Sequence, residues 1–451
     1  MVHTFVYRHK GNPLYFVWDI ESGSLYNVDD VAFLCAKKRY GLLSAEEEKA
    51  FSDSDKKDVS EINASFDELE GEGALNAPPL IKEFKKRTGA VKAMCLHICH
   101  DCNLRCEYCF ASGGTYNTPR DYMSAEVGKK AIDFLISNSG DIKNLEVDFF
   151  GGEPLMNFDV VKQITAYAKE EAAKKGKRFS FTMTTNCLLL NEEARNWLNE
   201  EMDNVVLSID GRESVHNEVR HTVSGKNAYP AIVRNSLEFR KIRGDKKYYV
   251  RGTFTAKNLD FTEDVIALND LGFDQISMEP VVLPEEDPMA ITRLHIDRIK
   301  AEYDRLAEVY LERRKGGKWF NFFHFMLDLD HGPCIHKRLT GCGAGTEYLA
   351  VSPTGEIYPC HQFVGRSEYL IGNVGEGILN PEVRERFSGY TVLKKAHCAD
   401  CPAKYYCGGG CAANALNFSG RPDGQYEVGC ELQKKRMEVS LAIQFIERNG
   451  L

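Results

Sequence analysis

Between residue 91 and about residue 314, short apolar runs alternate with longer amphipathic stretches. The apolar runs have the length and composition of buried strands and lie at residues 91–98, 145–150, 178–184, 204–209, 248–255 and 275–282. The amphipathic stretches have helical periodicity and lie at residues 124–137, 158–174, 191–201, 228–243, 261–271 and 291–314. Six successive βα units predict an α/β fold with a parallel, curved sheet wrapped in helices. In such a fold, functional residues lie at the C-terminal ends of the strands.

The chain before this region has the pattern of a smaller strand-and-helix module. Residues 14–20 and 25–28 are rich in aromatic and β-branched residues, which indicates strands. Between them, Glu21-Ser22-Gly23-Ser24 is a hairpin signal. Ser44 and Glu47 have the spacing of a capping box, so a helix is expected to begin there.

Two further segments lack clear periodicity. Residues 77–90 contain adjacent prolines and a net positive charge, and they are predicted to be a linker. From residue 334 onward there is much cysteine, glycine and turn chemistry. Such a segment cannot bury a large core alone, so we expect bound metal to supply its folding energy.

The composition is that of a soluble globular protein. The chain has 451 residues, of which 43% are apolar and 27% charged, enough for about two or three domains. No stretch approaches the roughly 18 apolar residues of a membrane span, and the start lacks the core of a signal peptide. We therefore expect a cytoplasmic protein with no membrane partner. The net charge of -9 argues against a nucleic-acid partner, because few excess cations are available to neutralise phosphates.

Cysteine is the outlier in this composition, at 15 residues. In a reducing compartment, clustered cysteines bind metal more often than they form disulfides. The spacing Cys102-x3-Cys106-x2-Cys109 follows the first predicted strand and suits a 4Fe-4S cluster with one open iron. The set Cys95-x3-Cys99-x2-Cys102 has the same spacing, but it would place Cys95 inside the apolar strand. The later set is preferred, and Cys95 and Cys99 are interpreted as core or stray thiols.

Residues 102–110, with the sequence CNLRCEYCF, resemble the signature of the radical S-adenosylmethionine (SAM) enzymes. The resemblance continues at the ends of the next three predicted strands, with the motifs FGGEP, TTN and SIDG. It implies a partial (β/α)6 barrel over residues 91–316, which binds a 4Fe-4S cluster through the three cysteines and SAM as a second cofactor. The SAM contacts that it implies are Tyr108, Phe110, Gly151, Gly152, Glu153, Asn186, Ser208, Asp210, Arg220 and Arg251.

Some of these contacts have an implied role. The glycines allow close backbone approach, and Glu153 supplies a carboxylate for the ammonium group of SAM. By resemblance Ser208 faces the ribose, and Arg220 or Arg251 is available to the methionine carboxylate.

A second group of cysteines resembles the seven-cysteine SPASM extension of such enzymes, here at residues 342–451 after a bridging helical region at 317–341. The resemblance implies two auxiliary 4Fe-4S clusters, hence three clusters in all. The ligands implied for the outer cluster are Cys398, Cys401, Cys407 and Cys430, and those for the inner cluster are Cys342, Cys360 and Cys411. Two tetrahedral zinc sites are the alternative, because thiolates also suit zinc.

The inner set has three thiolates for four irons. If Cys334 is the fourth ligand, the cluster is closed and serves electron transfer; if not, its open iron is free to bind a substrate thiolate. The open site is favoured. His361 follows Cys360, where sulfatase-maturating relatives have an aspartate base, so formylglycine formation is less favoured. His361 remains a candidate catalytic base, since a histidine is near half-protonation around neutral pH, although a structural histidine is the commoner case.

Residues 1–76 resemble the winged precursor-recognition modules that bind a leader peptide as an added strand, and residues 349–363 resemble maturases of six-cysteines-in-forty-five peptides. Together these resemblances imply a sactisynthase-like maturase that forms thioether links in a ribosomal precursor peptide, in the cytoplasm of an anaerobic organism. A flavodoxin or ferredoxin is the expected reductant. The alternatives are another SPASM oxidation, such as formylglycine formation or carbon-carbon cross-linking, and a multi-cluster electron-transfer protein.

Overall fold

The computed structural model describes residues 1–52, 56–79, 81–84, 89–328 and 334–451. Its N-terminal part is an antiparallel sheet in the order β1-β2-β3, followed by helices. The elements are β1 (Val2–His9), β2 (Asn12–Asp19), β3 (Leu25–Val28), α1 (Asp30–Arg39), α2 (Ala45–Ser52) and α3 (Lys56–Gly71). Val17 on one face of the sheet packs with Phe33 and Phe66 of the helices. Phe16 and Trp18 on the other face join the main core.

The local predictions for this part are confirmed where the structure describes it. The hairpin of β2 and β3 forms as the sequence indicates. In the capping box, the N–H of Glu47 donates to Ser44 Oγ at 3.3 Å, and the N–H of Ser44 donates to Glu47 Oε2 at 2.8 Å. Strand β1 was not predicted. Of the predicted linker, residues 80 and 85–88 lie outside the described residues.

The six predicted βα units are confirmed. The six strands of these units are parallel neighbours in the sheet, in the order in which they follow one another along the chain. The elements of this region are β4 (Ala93–Cys99), β5 (Leu104–Cys106), α4 (Ala125–Asn138), β6 (Asn144–Gly151), α5 (Phe158–Lys174), β7 (Arg178–Thr185), α6 (Glu192–Glu201), β8 (Asn204–Ser208), α7 (Glu213–Val219), β9 (Arg220–Thr222), α8 (Tyr229–Arg243), β10 (Lys247–Phe254), α9 (Phe261–Asp270), β11 (Gln275–Pro280) and α10 (Ile296–Lys315). Helix α10 begins later than predicted, because Thr292 caps a separate 3-10 turn.

Alternation along the strands separates two environments. On β6, Val147 and Phe149 are fully buried, whereas Asp148 and Phe150 between and after them are half-buried. Successive side chains of a strand point to opposite faces, so the first pair and the second pair lie on different faces of the sheet. The strand registers place Arg251 of β10 and Glu279 of β11 on the same face as Asp148. We infer that this polar face is the interior of the barrel.

The C-terminal part extends the same sheet to eleven strands. Its elements are β12 (Asn321–Phe322), α11 (Ile335–Thr340), β13 (Tyr348–Val351), β14 (Glu356–Tyr358), β15 (Gly372–Asn373), β16 (Gly377–Ile378), α12 (Pro381–Ser388), α13 (Lys404–Cys407), α14 (Ala412–Ser419) and α15 (Glu427–Asn449). Strand β13 is parallel to β4, and β14 to β16 continue as antiparallel neighbours. The region 317–341, predicted as helical, contributes β12 as well as α11, and its residues 329–333 lie outside the described part.

The C-terminal part buries more apolar surface than the sequence led us to expect. Helix α15 runs for 23 residues and buries Val428, Leu432, Val439, Ile443 and Ile446. It packs against α10, so it draws on the core of the barrel rather than forming one of its own. No helix in the described part of the chain is long and apolar enough to cross a membrane.

Candidate active site

The first cysteine set lies on the loop that follows β4. Cys102, Cys106 and Cys109 are half-buried and near enough to one another to interact electrostatically. Burial raises the pKa of Cys102 to about 12 and that of Cys106 to about 11, and neighbouring thiols add to both shifts. Thiolates at such positions need a compensating cation, which the irons of a cluster supply. The three residues therefore fit a cluster.

The competing set is divided between strand and loop. Cys95 and Cys99 lie within β4 and are fully buried. The thiol of Cys99 donates to the carbonyl oxygens of Asp101 and Glu153, at 3.3 and 3.2 Å. This placement agrees with the preference for the later set.

The Gly-Gly-Glu turn at the end of β6 lies directly against the cysteine loop. Gly152 N–H donates to Cys99 O at 2.9 Å, and Glu153 N–H donates to Asp101 O at 3.0 Å. Gly151 has a φ of +118°, and a Cβ there would lie 2.4 Å from Cys99 O. The glycines are thus required by the approach of the loop, whatever the turn contacts in SAM.

Glu153 links the end of β6 to the end of β7. Its carboxylate accepts from Thr185 Oγ1 at 2.8 Å and from the N–H of Asn186 at 2.7 Å. Burial raises its pKa to about 7. Asn186 in turn donates from Nδ2 to Asn103 Oδ1 at 2.7 Å, and the same nitrogen is 3.6 Å from Cys102 Sγ. Two strand ends are in this way connected to the loop.

Asp210, which follows β8, is fully buried and holds the other side of the loop. It accepts from Tyr108 Oη at 2.6 Å, from Arg220 Nε and Nη2 at 2.7 and 3.1 Å, and from Thr253 N–H at 2.9 Å. Burial alone would raise the pKa of Asp210, but the charge and hydrogen bonds of Arg220 lower it below its ordinary value. The guanidinium also lies over the Tyr108 ring, 5.5 Å from its centroid, with Nη1 4.0 Å from Cys106 Sγ.

The guanidinium of Arg220 already pairs with Asp210, so Arg220 and Arg251 are not equivalent candidates for binding the methionine carboxylate of SAM. Arg251 is exposed on β10, where it is the register partner of Ser208 at the end of β8. Its positive charge interacts electrostatically with His361 and Glu279. Arg251 is therefore the better candidate for a carboxylate ligand, with Ser208 beside it.

His361 brings the C-terminal part into contact with the barrel. Its ring centroid is 5.8 Å from that of Phe110 on the cysteine loop and 5.0 Å from that of Phe150 on β6. Tyr348 Oη is 3.5 Å from His361 Nδ1. Burial lowers the pKa of His361 to about 4, and the charge of Arg251 adds to this. His361 is half-buried, and the lowered pKa indicates a neutral imidazole near neutral pH rather than the half-protonated one expected from the sequence.

Seven further cysteines form two separate sets. The thiols of Cys342, Cys360 and Cys411 interact electrostatically with one another. The same holds for the set Cys398, Cys401, Cys407 and Cys430. These are the two sets expected for the inner and outer clusters. Cys334 is exposed.

Thiolates at these positions suit zinc as well as an iron-sulfur cluster. Among the described residues, no group of three or more His, Cys, Asp or Glu side chains is already arranged around a single metal position.

Family models match the two cysteine-rich regions. Residues 88–228 match a 4Fe-4S single cluster domain, and residues 342–402 match the SPASM iron-sulfur cluster-binding domain. The radical SAM cyclopropyl synthase TigE of Paramaledivibacter caminithermalis is 23% identical over 78% of this chain and 77% of its own length. The chain is homologous to radical SAM enzymes, and its C-terminal part matches the SPASM domain. It is homologous to maturases of ribosomal peptides and of sulfatases.

Solved structures show the same fold as this chain. The structure of anSMEcpe with bound AdoMet has a TM-score of 0.68 at 17% identity and covers 80% of this chain and 96% of its own. The structure of Streptococcus suis SuiB bound to precursor peptide SuiA has a TM-score of 0.53 at 16% identity, covering 95% and 99%. The expected α/β radical SAM fold with a C-terminal SPASM domain is thereby confirmed.

Several residues near the site were not predicted from the sequence. Asp148 and Glu279 lie on the polar face of the sheet, and His324 Nε2 is 3.1 Å from Glu279 Oε1. Cys95, interpreted as a core or stray thiol, interacts electrostatically with Asp148 and Cys360. Polar residues at alternate positions of otherwise apolar strands were the signal that marks Asp148 and Glu279. Cys95 carried no such signal.

Proposed function

We propose that the protein forms intramolecular thioether bonds between cysteine sulfur and a backbone carbon of an acceptor residue in a ribosomally synthesised, cysteine-rich precursor peptide. The observation that carries the proposal is the contact of His361 with Phe110 and Phe150. It brings Cys360, from the three-thiol inner set, next to the cysteine loop at the end of the barrel. A site for holding a substrate sulfur would then adjoin the site for activating a carbon.

The proposed cofactors are three 4Fe-4S clusters and SAM. Cys102, Cys106 and Cys109 would hold the barrel cluster. With SAM and an electron from a flavodoxin or ferredoxin, that cluster would supply the radical chemistry for removing a hydrogen atom from the peptide. Arg251 would bind the methionine carboxylate of SAM. Ser208 and Asn186 would contact the ribose side of SAM. Glu153, with Gly151 and Gly152, would form the ammonium site, and Phe110 offers an exposed aromatic face.

The auxiliary sites have different proposed roles. The outer set provides four thiolates and fits a closed cluster for electron transfer. The inner set of Cys342, Cys360 and Cys411 leaves a fourth position, which a substrate thiolate would take unless Cys334 closes it. Forming one thioether removes two hydrogens from the peptide: one leaves as an atom, and the other as a proton plus an electron. His361 is the proposed acceptor for that proton. The auxiliary sites are the proposed acceptors for the electron.

The N-terminal sheet is proposed to bind the leader of the precursor. In the described residues β3 pairs only with β2, so its outer edge has free backbone donors and acceptors. An extended peptide adds to such an edge as a further strand. The similarity to SuiB, whose structure was solved with the precursor peptide SuiA, supports this role.

The test uses the anaerobically reconstituted full chain with SAM, a reductant and a cysteine-rich precursor peptide. We expect release of 5'-deoxyadenosine and, for each link, loss of two hydrogens from the peptide that survives reduction with a thiol and blocks alkylation of one cysteine. A disulfide also loses two hydrogens, but it is reversed by the thiol. The Cys106→Ala variant should abolish both products. Absence of 5'-deoxyadenosine from the unsubstituted protein would leave a multi-cluster electron-transfer protein as the better interpretation.

A second candidate is another SPASM oxidation, because sulfatase-maturating enzymes are 22 and 24% identical to the chain, in the same range as the peptide-maturing relatives. The same reaction mixture with a sulfatase-derived peptide tests it. A formylglycine product there, without any thioether from a cysteine-rich precursor, would favour that function. A carbon-carbon cross-link would leave all cysteines free for alkylation.

A further inference from the structure

One cation is buried among the auxiliary cysteines. Lys395 lies three residues before Cys398 and is 7% exposed. Its Nζ donates to the carbonyl oxygen of Gly409 at 2.7 Å, and Gly409 lies between Cys407 and Cys411. A Cβ on Gly409 would lie 3.6 and 3.8 Å from Cδ and Cε of Lys395, so the aliphatic stem passes along this loop. The ammonium is therefore directed into the cysteine-rich segment and away from solvent.

The ammonium has no carboxylate partner in the part of the chain that the structure describes. Its one side-chain hydrogen bond there is to Gly409. The carboxylate of Asp423 interacts electrostatically with Lys395, but its hydrogen bonds are to Arg421. It accepts from Arg421 Nη2 at 2.7 Å and from Arg421 Nε at 3.0 Å. A buried ammonium beside a single carbonyl is costly, and buried charges in proteins are normally paired. No carboxylate among the described residues pairs with this ammonium, so an anion of another kind is needed to balance its charge.

The ammonium lies between ligands of both auxiliary sets. The carbonyl that it contacts belongs to Gly409, which lies two residues after Cys407 of the outer set and two residues before Cys411 of the inner set. Lys395 itself lies three residues before Cys398 of the outer set. One buried cation is thus placed beside two ligand sets.

We propose that Lys395 is a shared counter-cation of the two auxiliary clusters, which balances their thiolate charge and raises the reduction potentials of both. The inference rests on the auxiliary clusters of the proposed function, not on its peptide chemistry. A cluster becomes more negative when it accepts an electron, so a fixed positive charge nearby stabilises the reduced form. Because the charge is shared, it acts on both clusters at once.

The test is a potentiometric titration followed by electron paramagnetic resonance. A full-length background with Cys102, Cys106 and Cys109 changed to alanine removes the barrel cluster, so that only auxiliary signals remain. Lys395→Met removes the charge, Lys395→Arg retains it, and Lys394→Met changes the exposed neighbour. We expect both auxiliary signals to shift to more negative potential in Lys395→Met and to stay unchanged in the other two. A shift of one signal only, or of none at unchanged iron content, would overturn the proposal.

Iron content keeps the test decisive if Lys395→Met fails to load. Lys395→Gln then replaces it, since glutamine keeps a donor for Gly409 without the charge. Loss of iron from both neutral variants, with normal iron in Lys395→Arg, supports a counter-cation. Equal loss from Lys395→Arg contradicts it, because the charge is still present. If the background with Lys395 intact binds no auxiliary iron, the auxiliary clusters of the proposed function are excluded as well. That result differs from two loaded clusters whose potentials do not change in Lys395→Met, which contradicts only the role of Lys395.

Discussion

A Cβ atom on Gly152 would lie 1.8 Å from the carbonyl oxygen of Asp101. Asp101 directly precedes Cys102, so the absence of a side chain at 152 determines where the cysteine loop can begin. The contact involves backbone on both sides, and neither partner can rotate away as a flexible side chain would.

Gly152→Ala should therefore displace the loop and prevent loading of the barrel cluster. Overpacking of this kind costs about 1–3 kcal/mol of folding free energy. We expect loss of the barrel cluster's spectroscopic signal, with the auxiliary signals retained, and a lower unfolding midpoint in denaturant. Gly375→Ala is the matched control, because its nearest neighbour would be Asn373 Oδ1 at 3.5 Å. A fully loaded Gly152→Ala protein would contradict the steric argument.

The buried pair of Asp210 and Arg220 should contribute more to stability than the exposed pairs. Asp210→Asn leaves the guanidinium without a counter-charge beside Cys106, and breaking a buried pair costs about 3–5 kcal/mol. Asp260→Asn, which removes a half-exposed partner of Arg212, is expected to cost about 1 kcal/mol or less. Chemical denaturation of both variants measures the difference. Equal costs would show that Asp210 does not stabilise the loop.

Asp148 should make stability depend on pH in the direction opposite to an ordinary ion pair. Burial, with a smaller effect of Glu146, raises its pKa from 3.8 to about 6. The folded state then binds the proton more tightly than the unfolded state, so the carboxylate destabilises the fold above pH 6. This penalty declines as the pH falls from 6 towards 4.

Asp148→Asn removes the ionisation and should stabilise the protein by about 1–3 kcal/mol at pH 7.5, by linkage. The gain should shrink when unfolding is measured at pH 5. Exposed Asp141, on the loop before β6, provides the control as Asp141→Asn. A gain that is constant from pH 5 to pH 7.5 would exclude ionisation of Asp148 as its origin.

Glu21 should link the N-terminal sheet to the outer cysteine set. It is 4% exposed, accepts from Tyr405 Oη at 2.8 Å, and lies 2.8 Å from Lys404 Nζ. Both partners lie on α13, between Cys401 and Cys407. Glu21→Gln removes the counter-charge of Lys404, a half-buried ammonium that among the described residues otherwise donates only to Ala399 O at 3.4 Å. This loss costs about 1–3 kcal/mol.

We expect this cost to appear as faster amide hydrogen exchange in both β2 and α13 of the reconstituted protein. Glu46→Gln changes an exposed acid of the same module and should leave exchange in both segments unaltered. Faster exchange in β2 alone would indicate that Glu21 acts only within its own sheet.

The barrel was accessible from sequence because its strands satisfy one simple rule. Buried parallel strands are apolar along their length, and the amphipathic helices between them have a distinct period. The cysteine sets were accessible for a similar reason, since their spacing is local. Burial that depends on distant partners was not: Lys395 and His361 look like surface residues in their own segments. Helix α15 was obscured because Lys435 and Arg436 interrupt its apolar pattern, yet both are buried against other elements.

The pairing of β13 with β4 has a consequence for how the chain is made. Strand β4 opens the barrel, but its second neighbour is supplied by a segment that leaves the ribosome long after the barrel strands. Until then, the apolar strand that leads into the cysteine loop has one unpaired edge, which is a template for association with other chains. A chain truncated before β13 should therefore aggregate, and cluster insertion into the first loop should be most productive after synthesis is complete.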